Sequence, residues 1–161
     1  MKKRTIPSIL IKGGTNIYLS QKFSPWRSVG ALVQNLRLHV GREADELLII
    51  NPFKNNKDSV KNNKRLFELV RKEVNIPISY IGGIRTVEDA SFCINSGFDK
   101  IFLTEVFLEN IVEFKKIINL IGSQSVGVCL PYKRDNRNDI AFIFDYKNKT
   151  LTSKKLLNCV Q

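Results

Sequence analysis

Apolar residues in this chain fall alternately into short extended runs and helical stripes. Thr5 to Ile11 reads as a first strand ending at the turn Lys12-Gly13-Gly14. Asn16 to Phe23 reads as a short extended excursion, with a loop at Ser24-Pro25-Trp26. Val29, Val33, Leu36 and Val40 then recur at helical spacing, and Gly41 stands where a C-terminal cap belongs. Glu46 to Ile50 is a largely apolar strand broken by Asn51-Pro52. Past a polar loop, Ser59 or Asp58 can cap a helix whose face carries Leu66, Phe67, Val70 and Val74. Ile76 to Ile81 is a third strand that tolerates Pro77 at its start.

The stretch Ile78 to Ala90, I-S-Y-I-G-G-I-R-T-V-E-D-A, organises the middle of the chain. Its apolar run ends in Gly82 and Gly83, and Thr86 opens a helix with Asp89 three residues on, a variant of the capping box. A strand, a glycine turn and a helix N-terminus in succession can hold an anion on exposed amides, although such glycines also serve backbone geometry alone. That helix runs Val87 to Ser96 and closes at Gly97. Lys100 to Leu103 is a fourth strand, Asn110 to Ile121 a helix closed by Gly122, and Val126 to Leu130 a fifth strand. Ile140 to Asp145 and Lys149 to Leu151 form a hairpin across Tyr146-Lys147-Asn148, and Ser153 to Val160 reads as helical.

Strand and helix alternating in this way predict an α/β fold with a parallel sheet under covering helices. Pattern alone leaves open a short doubly wound sheet or a piece of a (β/α)8 barrel. A complete barrel needs eight units. Here there are about four, then a fifth strand, the hairpin and a final helix, read as a single domain over residues 1–161.

Composition narrows the function classes. With 161 residues the chain suits one domain, and 43% hydrophobic residues place it among globular proteins. No apolar run approaches the ~20 residues of a membrane span. The basic start Met1-Lys2-Lys3-Arg4 precedes a run too short for a secretory signal, so the expected location is cytoplasmic, with no membrane partner. Cys93, Cys129 and Cys159 are too few and too far apart for a disulfide framework or a zinc site, and no metal or other cofactor is expected. The net charge of +11 would attract nucleic acid, but the lysines are scattered among asparagines from Lys54 to Arg65 without interleaved aromatics. A solvated lysine-rich surface is the preferred reading, and nucleic acid is disfavoured as a partner.

Several segments in order resemble the cyclase subunit of imidazole glycerol phosphate synthase, the barrel enzyme of histidine biosynthesis. They are K-R-T-I-P-S-I-L-I-K-G-G (Lys3 to Gly14), A-D-E-L-L-I-I (Ala44 to Ile50), I-P-I-S-Y-I-G-G-I-R-T-V-E-D-A (Ile76 to Ala90), G-F-D-K-I-F-L-T (Gly97 to Thr104), E-N-I-V-E-F (Glu109 to Phe114) and G-S-Q-S-V-G-V (Gly122 to Val128). The resemblance implies a (β/α)8 TIM-barrel lineage of which this chain covers about the first half. It also implies a glutaminase subunit as partner, delivering ammonia through the barrel centre to chemistry at the C-terminal strand ends.

Position by position, the resemblance divides. The two catalytic aspartates that end strands one and five in that family are replaced by Leu10 and Pro131, which have no ionisable group for acid and base work, so no catalytic residue is assigned. Asn51 replaces another strand-end aspartate, and Tyr18 a lysine of the first loop. The phosphate cradle is implied at Gly82, Gly83 and Thr104, with Glu105 beside it where a threonine belongs and where a carboxylate would repel phosphate. Arg4, Glu46 and Lys100 match three of four charged residues that ring the ammonia entrance, the fourth falling beyond Gln161, and Asp99 matches a glutaminase contact.

Leucine at the first catalytic place resembles a branch associated with surface-polysaccharide genes, thought to hand ammonia to a sugar amidotransferase. The expected function is therefore a cyclase relative without cyclase activity that serves as glutaminase partner or ammonia conduit. The alternatives are an active lyase of histidine biosynthesis, a basic nucleic-acid module, or a barrel remnant whose open half pairs with a second copy or a second half-barrel chain.

Overall fold

The computed structural model describes residues 3–12, 16–21, 24–51, 60–135, 140–145 and 150–155. They divide into two compact units, Met1–Gly127 and Val128–Gln161. The first carries a five-stranded sheet in the order β1-β4-β5-β6-β7, formed by β1 (Ser8–Leu10), β4 (Leu47–Ile50), β5 (Ile78–Ile81), β6 (Lys100–Leu103) and β7 (Val126–Val128). The pairings β1 with β4, β4 with β5 and β5 with β6 are all parallel. This is the expected α/β architecture of strands joined by crossover helices.

Register explains why the runs read as nearly continuous apolar stretches. Ile9, Ile49, Tyr80 and Ile101 lie side by side across four strands, and all are buried. This face is covered by helices α1 (Leu32–Gly41), α2 (Lys64–Glu73), α3 (Val87–Asn95) and α5 (Ile111–Ile121), which contribute Leu36, Phe67, Val70, Ala90, Cys93 and Ile117 to the same core. Phe67 is its hub: its ring meets Tyr80 edge-on at 4.9 Å, Phe98 at 4.6 Å and Phe92 in a stack at 5.7 Å.

The opposite face is a different surface. Leu10, Ile50, Ile81 and Phe102 form one row across it, and Ser8, Leu48, Ser79 and Lys100 form the row below. The upper row and Leu48 are only half-buried. Parallel sheets are ordinarily covered on both faces, and in a closed barrel this side would be the packed interior. The Phe102 ring lies so close over Gly127 that a Cβ there would stand 2.5 Å from it.

The structure departs from the sequence reading in several places. Ser24–Ala31 is not a loop running into a helix but β3, antiparallel to β2 (Asn16–Gln21), so helix α1 begins at Leu32 rather than Val29. Gly30, at φ 137°, sits in backbone that a helix does not use, and cross-strand pairing overrides the helical spacing of the valines. A five-residue helix α4 (Glu105–Glu109) follows β6 directly. In the second unit, β8 (Tyr132–Asp135), β9 (Ile140–Asp145) and β10 (Thr150–Lys155) make an antiparallel sheet, so residues 153–155 extend a strand where a helix was expected. The remainder of that expected helix, the hairpin tip and the Asp58 or Ser59 cap lie outside the described residues.

Candidate functional site

Strand ends dictate where the candidate residues stand. Leu10 closes β1 on the half-covered face, with Ile50 of β4 as its register partner and Ile81 and Phe102 continuing the row. Nothing in that row can take or give a proton. Asn51, one residue past β4, is buried and points to the helix-covered side: the Tyr80 hydroxyl bonds to it and accepts from Asn63 Nδ2 at 3.1 Å. Burial pushes the Tyr80 phenol up, keeping it a neutral member of this network. Tyr18 lies half-buried in β2, opposite Ser28 of β3. Pro131 belongs to the second unit, where its carbonyl accepts from the Phe144 amide at 2.9 Å.

The junction after β5 is built as its sequence dictates. Gly82 has φ 142°, and an added Cβ would come within 2.5 Å of the Asn51 carbonyl oxygen; Gly83 has φ 65°. Both glycines are therefore required by backbone geometry before any ligand is considered. Thr86 caps α3, its hydroxyl accepting from the Asp89 amide at 3.2 Å. The amides that would face an anion are engaged by carboxylates of the chain itself. Asp89 Oδ2 accepts from the Arg85 amide at 3.1 Å, and Glu113 Oε1, from α5, accepts from the Val87 amide at 3.0 Å. The positive end of this helix is thus already compensated. The Glu88 carboxyl at the same end is held below its usual range, first by backbone hydrogen bonding and then by Thr86.

Across the next loop, Glu105 follows Thr104 and its Oε2 accepts from Arg85 Nε at 2.9 Å. The pair ties the loop after β5 to the loop after β6. It also alters the electrostatic expectation. The carboxylate that would repel phosphate beside Gly82, Gly83 and Thr104 is held by a guanidinium from the same neighbourhood.

At the other end of the strands, Glu46 is buried and accepts from the Ser79 hydroxyl. Ser79 is the register partner of Lys100, so Glu46, Ser79 and Lys100 share the half-covered face. Arg4 is exposed in the segment leading to β1. Among the described residues no ion pair joins Arg4, Glu46 and Lys100. Asp99 ties its strand start to β5, since its Oδ2 accepts from the Ile78 amide at 2.9 Å while its own amide donates to the Ile78 carbonyl at 2.9 Å. Among the described residues no three His, Cys, Asp or Glu side chains are grouped to hold a metal ion. No helix among them is long and apolar enough to cross a membrane.

The sequence matches the profile of the family described as histidine biosynthesis protein over residues 4–161. The chain belongs to that family. It is 30% identical over 152 residues to a protein of Leptospira interrogans named for the imidazole glycerol phosphate synthase subunit HisF, covering 93% of this chain and 59% of that one. A HisF-named protein of Campylobacter jejuni is 31% identical over 92% of this chain and 58% of its own length. The imidazole glycerol phosphate synthase subunit HisF of Pyrococcus furiosus is 32% identical over 83% of this chain and 52% of its own. The chain spans somewhat over half the length of these relatives. Membership of a family with a TIM-barrel type fold accounts for the parallel sheet and for the apolar character of its half-covered face.

Within this family frame, local sequence found the glycine turn and the Thr86 cap. It missed the two carboxylates that occupy the helix amides and the guanidinium that holds Glu105. Glu113 is 26 residues from Val87 and Arg85 is 20 from Glu105, separations at which no periodic signal exists.

Proposed function

We propose that the chain is a HisF-like subunit that does not close the imidazole ring and instead works beside a glutaminase as an ammonia-handling partner. The observation that carries this reading is the row Leu10, Ile50, Ile81 and Phe102, apolar where ring closure needs an acid and a base. Glu46 and Lys100 remain on the same face at the opposite strand ends, and exposed Arg4 lies in the segment leading to β1, which supports an entry ring. The leucine at position 10 fits the surface-polysaccharide branch, in which the ammonia would go to a sugar amidotransferase in the cytoplasm. The half-covered sheet face would be completed by a second half-barrel, from another copy or another chain.

The test is co-purification with a glutaminase subunit from the same organism. Lys100→Glu should weaken that pairing about tenfold or more, mostly through faster dissociation. Charge reversal of Asp99 is the poorer probe, because it also removes the acceptor of the Ile78 amide. Unchanged affinity of the Lys100 variant would overturn the docking face.

A second reading, an active cyclase of histidine biosynthesis, is favoured by one arrangement. Gly82, Gly83 and Thr104 stand at the ends of β5 and β6 with the Arg85 guanidinium alongside. Turnover of the histidine-pathway nucleotide with added ammonia would establish it. Absence of product at high protein concentration rejects it.

A further inference from the structure

On the outer helical layer, α2 and α3 border an open groove of about 540 Å³. That is within the ~300–1,000 Å³ of small-molecule sites. The side chains of Lys64, Arg71 and Lys72 rim it, and the edges of the stacked Phe67 and Phe92 rings line it. One carboxylate, Glu68, also lines it and pairs loosely with Lys64 at 4.0 Å. The groove therefore carries an excess of two positive charges beside an aromatic surface.

Arg71 is the anchor. Its side chain lies across the turn after α3, where a Cβ on Gly97 would stand 2.7 Å from Arg71 Cδ and Nε. Gly97, at φ 94°, leaves the space in which the guanidinium stem rests. An ordinary structural role for such an arginine would be to cap the carbonyls that end α3. Three of those carbonyls are already served: the amides of Ser96, Gly97 and Phe98 donate to Phe92, Cys93 and Ile94, and the Ser96 hydroxyl donates to Phe92. Among the described residues Arg71 and Lys72 have no ion-pair partner. Arg71 is exposed, and a planar guanidinium without an ion-pair partner suits an oxyanion.

We propose that this groove binds a small molecule bearing an oxyanion on a flat apolar ring, the oxyanion on Arg71 and Lys72 and the ring against Phe92. Phosphate and carboxylate share the required chemistry. Adenosine monophosphate, benzoate and inorganic phosphate should be titrated separately into the isotope-labelled 161-residue protein, following the Ser96 and Gly97 amides and Arg71 Nε by NMR. Saturable shifts at these groups with either ringed probe are expected, with inorganic phosphate at least tenfold weaker. Tighter binding of the nucleotide assigns a phosphate ligand, and tighter binding of benzoate a carboxylate. Arg71→Gln should weaken the better probe about tenfold or more with the remaining spectrum unchanged, and Arg71→Lys should weaken it less. No saturable shift by about 10 mM, weaker than ordinary millimolar recognition, overturns the proposal. So does unaltered binding by Arg71→Gln, or inorganic phosphate binding as tightly as the ringed probes.

Discussion

Replacing Gly82 by alanine separates backbone necessity from ligand recognition at the turn after β5. The position has φ 142°, a region essentially restricted to glycine, which costs about 1–3 kcal/mol for any other residue. The new methyl would also approach the Asn51 carbonyl oxygen to 2.5 Å and its Cβ to 2.9 Å. Relieving that overlap by backbone shift costs roughly another 1–3 kcal/mol. Asn51 has little freedom to yield, because its amide donates to the Ile81 carbonyl at 2.8 Å and it bonds to the buried Tyr80 hydroxyl. A total of about 2–6 kcal/mol is a large share of the ~5–15 kcal/mol of an ordinary domain. With a urea slope of about 2 kcal/mol per molar, the midpoint should fall by roughly 1–3 M. Equilibrium unfolding followed by far-ultraviolet circular dichroism measures this. A midpoint within about 0.3 M of the parent protein, equivalent to roughly 0.5 kcal/mol, would refute the geometric argument and return Gly82 to a role in ligand approach.

Phe67→Ala should destabilise the first unit by about 3–5 kcal/mol, because its buried ring touches three other aromatics; a loss under ~1 kcal/mol in denaturant melts contradicts the assignment of Phe67 as hub. Ser79→Ala leaves the buried Glu46 carboxylate without its hydroxyl donor and should cost about 1–3 kcal/mol, and combining it with Glu46→Leu should recover part of that loss. Lack of coupling in the double-mutant cycle would show that the two side chains do not interact. The Glu73 carboxyl, accepting from Arg37 at 2.7 Å, is held below its usual range chiefly by that hydrogen bond. Its contribution is present above the ordinary glutamate value of about 4.3 and is lost as pH falls through the lowered folded value. Arg37→Gln should therefore flatten stability against pH on that acid limb, and superimposable acid curves would be the contrary result.

The parallel core was legible because its strands are buried on the helix side and bounded by turn residues. Lys100–Leu103 and the Thr86 to Asp89 cap emerged from local chemistry alone. Tertiary pairing defeated the reading elsewhere. The valines near position 30 have helical spacing, yet Val29 and Gly30 are taken into β3 by its partner β2. Polar Tyr132–Asp135 shows no strand pattern of its own and is ordered by β9, while Ser153 to Lys155 follow β10 instead of their helical periodicity. The candidate site was legible as a set of positions and illegible as a set of partners. Glycine geometry is written locally, whereas the engagement of the α3 amides by Glu113 and of Glu105 by Arg85 depends on contacts between separate helices and loops.

The row from Leu10 to Phe102 also determines what could travel over it. A hydrocarbon wall offers a passing ion nothing in exchange for its hydration shell, a deficit of many kcal/mol for a bare charge and far less for an uncharged solute. Once sealed, such a lane would sort by charge before size, admitting ammonia while turning back ammonium. One lysine or aspartate introduced at Ile50 or Ile81 would give the lane a wet, polar step and spoil that discrimination.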